Sequence, residues 1–141
     1  NDDIRGKGVF DKVSENIDLL NFYKHKYGVI KPTVGINFTV MNNNIDSMLP
    51  LVEYAEAKHC NIILFQPLLF SNVDMYEKRH NELWPSQRNI KRLRKTIENL
   101  LDIQSRRNHR VYIATDSAIL NAMPDYFGGR KFGRRFKCYE A

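Results

Sequence analysis

The stretches Thr33-Val34-Gly35-Ile36-Asn37-Phe38-Thr39-Val40-Met41 and Ile62-Ile63-Leu64-Phe65-Gln66-Pro67-Leu68-Leu69-Phe70 decide how this chain folds. In the first, Val34, Ile36, Phe38 and Val40 alternate with Gly35, Asn37, Thr39 and Met41. That period of two belongs to a β-strand. One face is wholly apolar and suits a covering layer of helices. The other sets Asn37 and Thr39 in mid-strand, where a buried polar group needs a partner, so this face is expected to look into a lumen or ligand site. The competing reading is an edge strand with a wet face. The second stretch is almost unbroken in its apolar character, the pattern of a strand covered on both faces in a parallel sheet. Pro67 has no N–H to give to a ladder and is expected to end it.

Outward from these strands the pattern turns helical. Phe10, Val13, Ile17, Leu20 and Tyr27 recur at helical spacing over Val9 to Tyr27, with Asp11, Lys12, Glu15 and Lys24 elsewhere on the surface. Gly28 is placed to terminate that helix, and Pro32 prevents a restart. Asn42-Asn43-Asn44 makes a turn, Asp46 or Ser47 is expected to cap the next helix, and Pro50 then falls in its first turn. Ser71 to Pro85 is a polar connection of a length that often forms a functional lid. Its Trp84 either covers a ligand or anchors the loop to the body. A third helix starts at Ser86 with Ile90, Leu93, Ile97, Leu100 and Leu101 facing inward. Val111 to Thr115 reads as a third strand. Asp116 or Ser117 caps a last short helix that Pro124 is expected to stop.

Strands joined through helices of a dozen residues run parallel by right-handed crossovers. The fold class is therefore α/β, either a doubly wound sheet or part of a barrel. At 141 residues there is room for one ordinary domain with a core, and not for two. Apolar residues at 43% and charged residues at 27% fit a soluble globular chain, and no apolar run reaches membrane-spanning length. The opening Asn1-Asp2-Asp3 has neither initiator Met nor signal-peptide character, so the chain is expected to be cut from a longer cytoplasmic protein. Two cysteines, Cys60 and Cys138, cannot by themselves make a disulfide framework or a cluster site.

In parallel architectures ligands bind at the carboxyl ends of the strands. That rule selects Thr39, Asn42 and Asn43, then Gln66 and Pro67, then Thr115, Asp116 and Ser117, with Asn37 joining from the inward face. The set is polar and uncharged but for one carboxylate. It suits recognition of a nucleoside or amino acid rather than acid–base catalysis, which needs paired titratable groups. No dinucleotide glycine motif, P-loop, nucleophile elbow or zinc-protease motif is present. The net charge of +6 gathers at Arg106–Arg110 and at Arg130–Lys137, where Phe127, Phe132 and Phe136 interleave with basic residues. Its readings are a solvated surface, the exposed cut face of a larger enzyme, or a nucleic-acid-binding module.

Taken in order, several segments resemble the radical S-adenosylmethionine (SAM) enzymes. Asp3-Ile4-Arg5-Gly6-Lys7-Gly8-Val9-Phe10, followed by a helix with Leu19-Leu20, is similar to the segment after that family's third strand. Gly35-Ile36-Asn37-Phe38-Thr39-Val40, with Asn44 soon after, resembles its fourth strand, and Phe65-Gln66-Pro67-Leu68 the end of its fifth. Pro124-Asp125-Tyr126-Phe127 through Lys137-Cys138-Tyr139 resembles the passage into a SPASM-type extension.

The resemblance implies the C-terminal part of a TIM-type (β/α)6 half-barrel, truncated to about three strands and four helices. Residues 1–127 would be the core and 128–141 a basic tail. The family cleaves SAM reductively, at a [4Fe–4S] cluster, to begin radical chemistry on a peptide or small molecule, with ferredoxin or flavodoxin as electron donor. The Cys-x-x-x-Cys-x-x-Cys motif that holds the cluster is absent here, so this chain alone is expected to be inactive. By position, Asn37, Thr39 and Asn42 would lie near the ribose or amino-acid end of SAM and Gln66 and Pro67 near its adenine. Arg5 would reach its carboxylate. Cys138 would be the first ligand of an auxiliary cluster, or else a free tail cysteine. A membrane partner is not expected, nor is nucleic acid. A different half-barrel or doubly wound enzyme, aldolase-like, is the remaining alternative.

Overall fold

A computed structural model describes residues 6–69, 81–106 and 110–129. Its elements are α1 (Val9–Lys26), β1 (Gly35–Val40), a 3-10 turn (Ile45–Ser47), α2 (Met48–Ala57), β2 (Ile62–Pro67), α3 (Gln87–Ser105), β3 (Tyr112–Ile113) and α4 (Ser117–Phe127). The three strands are parallel in the order β1-β2-β3, with Gly35 opposite Ile62 through Val40 opposite Pro67, and Ile62 opposite Tyr112. Among the described residues this is the α/β arrangement of three strands and four helices that the alternation of periods predicts.

Residues paired across a ladder share a face. Ile63, Phe65 and Ile113 point into one core with Val40, and that core includes Met48, Val52 and Ala55 of α2, Ile90, Leu93, Ile97 and Leu100 of α3, and Leu120, Met123 and Phe127 of α4. Right-handed crossovers between strands that advance steadily in one direction put all their helices on the same side of the sheet. Here α2, α3 and α4 all cover the Ile63–Phe65 face. β2 therefore departs from the expectation of cover on both faces: Ile63 is fully buried, whereas Ile62 is 37% exposed and Gln66 is exposed. Its apolar run serves a core on one side only.

Local signals explain most boundaries. α1 closes in a Schellman motif, with Gly28 at φ 63, its N–H donating to the His25 carbonyl and the Val29 N–H to that of Lys24. α2 closes the same way through His59, a non-glycine residue at φ 52. The expected side-chain cap of α2 is absent: the 3-10 turn precedes Met48, Ser47 makes no side-chain cap, and the Asp46 carboxylate pairs with Arg92 instead. Pro50 does sit in the first turn of α2. Ser86 caps α3 by accepting from the Asn89 N–H, and Asp116 caps α4 by accepting from the Ala118 N–H.

Pro124 does not stop α4, which runs through it to Phe127. Its ring is buried, and the last turn is held from outside: the Trp84 indole N–H donates to the Phe127 carbonyl at 3.1 Å. The Trp84 ring also packs against Tyr126 and Phe127 at 5.4 and 5.0 Å between centroids. Trp84 is thus an anchor for its loop, not a cover over a ligand. Most of that connection, 70–80, lies outside the described residues, as does the basic tail from 130.

Candidate ligand-binding face

The side of the sheet that no described helix covers carries Gly35, Asn37 and Thr39 from β1, Ile62, Leu64 and Gln66 from β2, and Tyr112 from β3. Asn37, Gln66 and Tyr112 are exposed, and none of the three side chains bonds to another described residue. Thr39 lies directly beside Gln66, and Asn37 beside Leu64. The face therefore offers two free carboxamides, a hydroxyl and a phenol above an apolar floor of Ile62 and Leu64. Carboxamides donate and accept without charge, so such a surface reads the polar edges of a neutral heterocycle, amide or sugar. It carries no carboxylate, imidazole or amine, so its chemistry is that of hydrogen bonding.

Other residues selected at the strand ends are committed to holding the fold. The Asn42 side-chain oxygen accepts from the Ser86 N–H at 3.0 Å and from the Asn89 amide at 2.7 Å, and its own amide donates to the Glu82 carbonyl. Its backbone N–H donates to Leu83. Asn42 is a latch that ties the exit of β1 to the loop before α3. Thr115 is 2% exposed, and its hydroxyl accepts from the Phe65 N–H and donates to the Phe65 carbonyl. A side chain thereby extends the β2–β3 pairing beyond the two-residue strand. Asp116 is used as a helix cap. Pro67 is half-buried at the end of β2. Arg5 and Cys138 lie outside the described residues.

The structure thus brings Asn37, Thr39 and Gln66 together on one surface and engages Asn42 elsewhere. It adds Tyr112 and Leu64, which sequence reasoning did not single out. The alternation of Val111, Ile113 and Thr115 with Tyr112 and Ala114 was the available signal for Tyr112. Asn44 also has a defined part: its side chain accepts from the Met41 N–H and donates to the Thr39 carbonyl, fixing the turn that follows β1.

The titratable groups with displaced values lie off this face. Burial pushes the Cys60 thiol up from its ordinary 9.0, partly offset by Lys24 and Lys58. Burial likewise raises Tyr126, whose hydroxyl donates to the Leu68 carbonyl. Lys58 is raised chiefly by its hydrogen bond to Asp18. A cleft of about 310 Å³ lined by Asn21, Lys24, Val29, Ile30, His59 and Asn61 sits at the opposite, amino ends of β1 and β2.

No group of three metal-ligating side chains occurs among the described residues, and the whole chain has only two cysteines, Cys60 being buried in the core. The residues here do not fit an iron–sulfur cluster. Asn37, Thr39 and Gln66 do fit a polar uncharged ligand. Phe127, one of the three aromatics interleaved with basic residues, is 1% exposed and serves the core, so it is not a stacking platform for nucleic acid. No helix among the described residues is long and apolar enough to cross a membrane. The chain matches no protein-family model, no curated protein and no solved structure.

Proposed function

We propose that this chain is the ligand-recognition side of a radical SAM half-barrel, contributing the wall that holds SAM but not the iron–sulfur cluster. The observation that carries the reading is the one-sided sheet. Three parallel strands in sequential order keep their helices on one face and turn Asn37, Thr39 and Gln66 to the other. A doubly wound sheet reverses its strand order and is covered on both faces, whereas a barrel wall is covered outside and reads its ligand inside. The family resemblance of the Gly35–Val40 and Phe65–Leu68 segments agrees with that assignment.

On this reading Asn37 and Thr39 hold the ribose or amino-acid end of SAM and Gln66 lies beside its adenine, while Pro67, opposite Val40 on the covered face, ends the strand that carries Gln66. Asn42 acts at one remove, by tying the exit of β1 to the loop before α3. SAM supplies, in the complete enzyme, the radical that begins chemistry on a peptide or small-molecule substrate. This chain's residues bind and orient; they move no proton. The cluster, with its electron donor, belongs to sequence outside these 141 residues. A cytoplasmic location is part of the reading, and the chain alone is inactive.

The test is an NMR titration of the chain with S-adenosylhomocysteine, which has the same nucleoside and amino-acid ends. Binding in the millimolar range, about −4 kcal/mol, with shifts at Asn37, Thr39 and Gln66 is expected. Shifts confined to the helix-covered side, or none at millimolar ligand, would remove the proposal.

A further inference from the structure

The cleft of about 310 Å³ at the amino ends of β1 and β2 is walled by one continuous stretch of chain, 21–61. Asn21 and Lys24 come from α1, Val29 and Ile30 from the turn beyond it, and His59 and Asn61 from the link between α2 and β2. Its volume is at the lower end of the range that holds small ligands. Two helices end here, and their dipoles favour the cations at those ends, Lys24, His25 and Lys26 on α1 and Lys58 just past α2. The dipoles do not account for what the cations face. Lys58 is matched by Asp18. Lys24 pairs with no carboxylate among the described residues, and no carboxylate lines the cleft.

Two of the wall residues are set in ways the fold alone does not require. His59 holds the left-handed position that closes α2, at φ 52, where glycine would carry no strain. An imidazole is kept on the wall at the expense of that strain. Asn61 accepts from the Val34 N–H through Oδ1 at 2.9 Å, which fixes the orientation of its carboxamide. The NH2 on the other arm of that group has two donors and no partner among the described residues. Asn21 braces the site from α1, donating to the Lys58 carbonyl at 2.7 Å. Beside these donors Val29 and Ile30 are 49% and 83% exposed, an apolar wall next to a polar one.

We propose that this cleft binds a small organic monocarboxylate with a short branched apolar body. The carboxylate meets the Lys24 ammonium and the Asn61 NH2, with the His59 imidazole at its side, and the body lies against Val29 and Ile30. One uncompensated ammonium matches a single negative charge, and charge-assisted bonds to a carboxylate are the strongest that these donors form. The cleft is at the opposite end of the strands from Thr39 and Gln66, so the proposal stands apart from the reading of the open face.

A titration of the 141-residue chain with isovalerate at low salt, followed by NMR, tests it. Binding in the millimolar range is expected, with shifts at Lys24, Ile30, His59 and Asn61 and none at Asn37 or Gln66. Isovaleramide has the same body without the charge and should bind at least about tenfold more weakly. Acetate has the charge without the body and should also bind more weakly. Lys24→Gln should weaken isovalerate about tenfold. Asn61→Asp keeps an acceptor for the Val34 N–H but replaces the NH2 with negative charge, and should abolish binding. His59→Gly relieves the left-handed strain, so it should weaken binding in a chain that still folds. Should Asn61→Asp fail to fold, Lys24→Gln decides. The absence of shifts at the cleft at about 50 mM isovalerate overturns the proposal. So does equal binding of isovaleramide or acetate, or isovalerate binding that Lys24→Gln leaves unchanged.

Discussion

The two faces of the sheet are made by alternate residues of the same three strands, yet they have opposite fates. Ile63, Phe65 and Ile113 are at most 3% exposed, whereas their neighbours Ile62 and Tyr112 are 37% and 66% exposed. Composition does not separate them, because isoleucine appears on both. Topology does: sequential strands with one-handed crossovers bring every helix to one side. The covered face carries the stability, and the open face is free to carry recognition. Substitutions on the two sides should therefore differ in size and in what they change.

The largest effects belong to the covered face. Leu93, in the middle of α3 and fully buried, is expected to cost roughly 2–5 kcal/mol as Leu93→Ala. Phe65→Ala removes a ring that meets Phe38 edge-on at 5.7 Å and should cost about 3–5 kcal/mol. For a domain this small either loss is a large part of the total stability. Urea unfolding followed by circular dichroism measures both; a loss under about 1 kcal/mol would mean that α3 and the sheet do not share one core.

Next come the side chains that replace missing backbone pairing. Thr115→Val keeps the shape but leaves the Phe65 N–H and carbonyl unsatisfied in a buried place, at a cost of about 1–3 kcal/mol. Asn42→Ala, at a half-exposed site, should cost less, about 1–2 kcal/mol, and should loosen the loop around Trp84. Hydrogen exchange at Leu83 and Ser86 would report that loosening, whereas a purely global effect would raise exchange evenly.

These two residues also show where sequence reading stopped. The strands, helices and their order were legible because alternation and helical spacing are local properties of the chain. The polar face of β1 was legible for the same reason. Asn42 and Thr115 stand at strand ends, where ligands bind, so position alone groups them with the ligand-facing residues. Their bonding partners are 44–50 positions away, at Ser86, Asn89 and Phe65, and no local pattern announces them. The reading of β2 as covered twice failed because an apolar run records residue type and not which neighbours arrive. Pro124 misled because its helix end is held by Trp84 from another loop, a contact invisible in the local sequence.

A smaller effect concerns pH. Burial raises the Cys60 thiol above its unfolded value near 9.0, so folding favours the neutral thiol. That contribution is whole below the unfolded value and is lost as pH rises through the folded one. Above pH 9 the wild type should therefore lose stability more steeply than Cys60→Ala, whose pH dependence lacks this group. Parallel slopes in paired urea titrations would show that the thiol ionises freely in the fold.

The smallest effects on stability, and the sharpest test of the comparison, lie on the open face. Asn37→Ala and Gln66→Ala remove exposed carboxamides that bond to no other described residue, so each should change unfolding free energy by no more than about 0.5 kcal/mol. If the face reads a polar ligand, the same substitutions should abolish the response to S-adenosylhomocysteine. Thr115→Val should behave in the reverse manner, lowering stability while leaving ligand shifts at Asn37 in place under conditions where it is folded. A face kept open only by chance would show the same small stability changes but no ligand response for the substitutions to abolish. A face closed in the folded chain by some other segment would betray itself differently, through a stability loss well above 0.5 kcal/mol on deleting either amide.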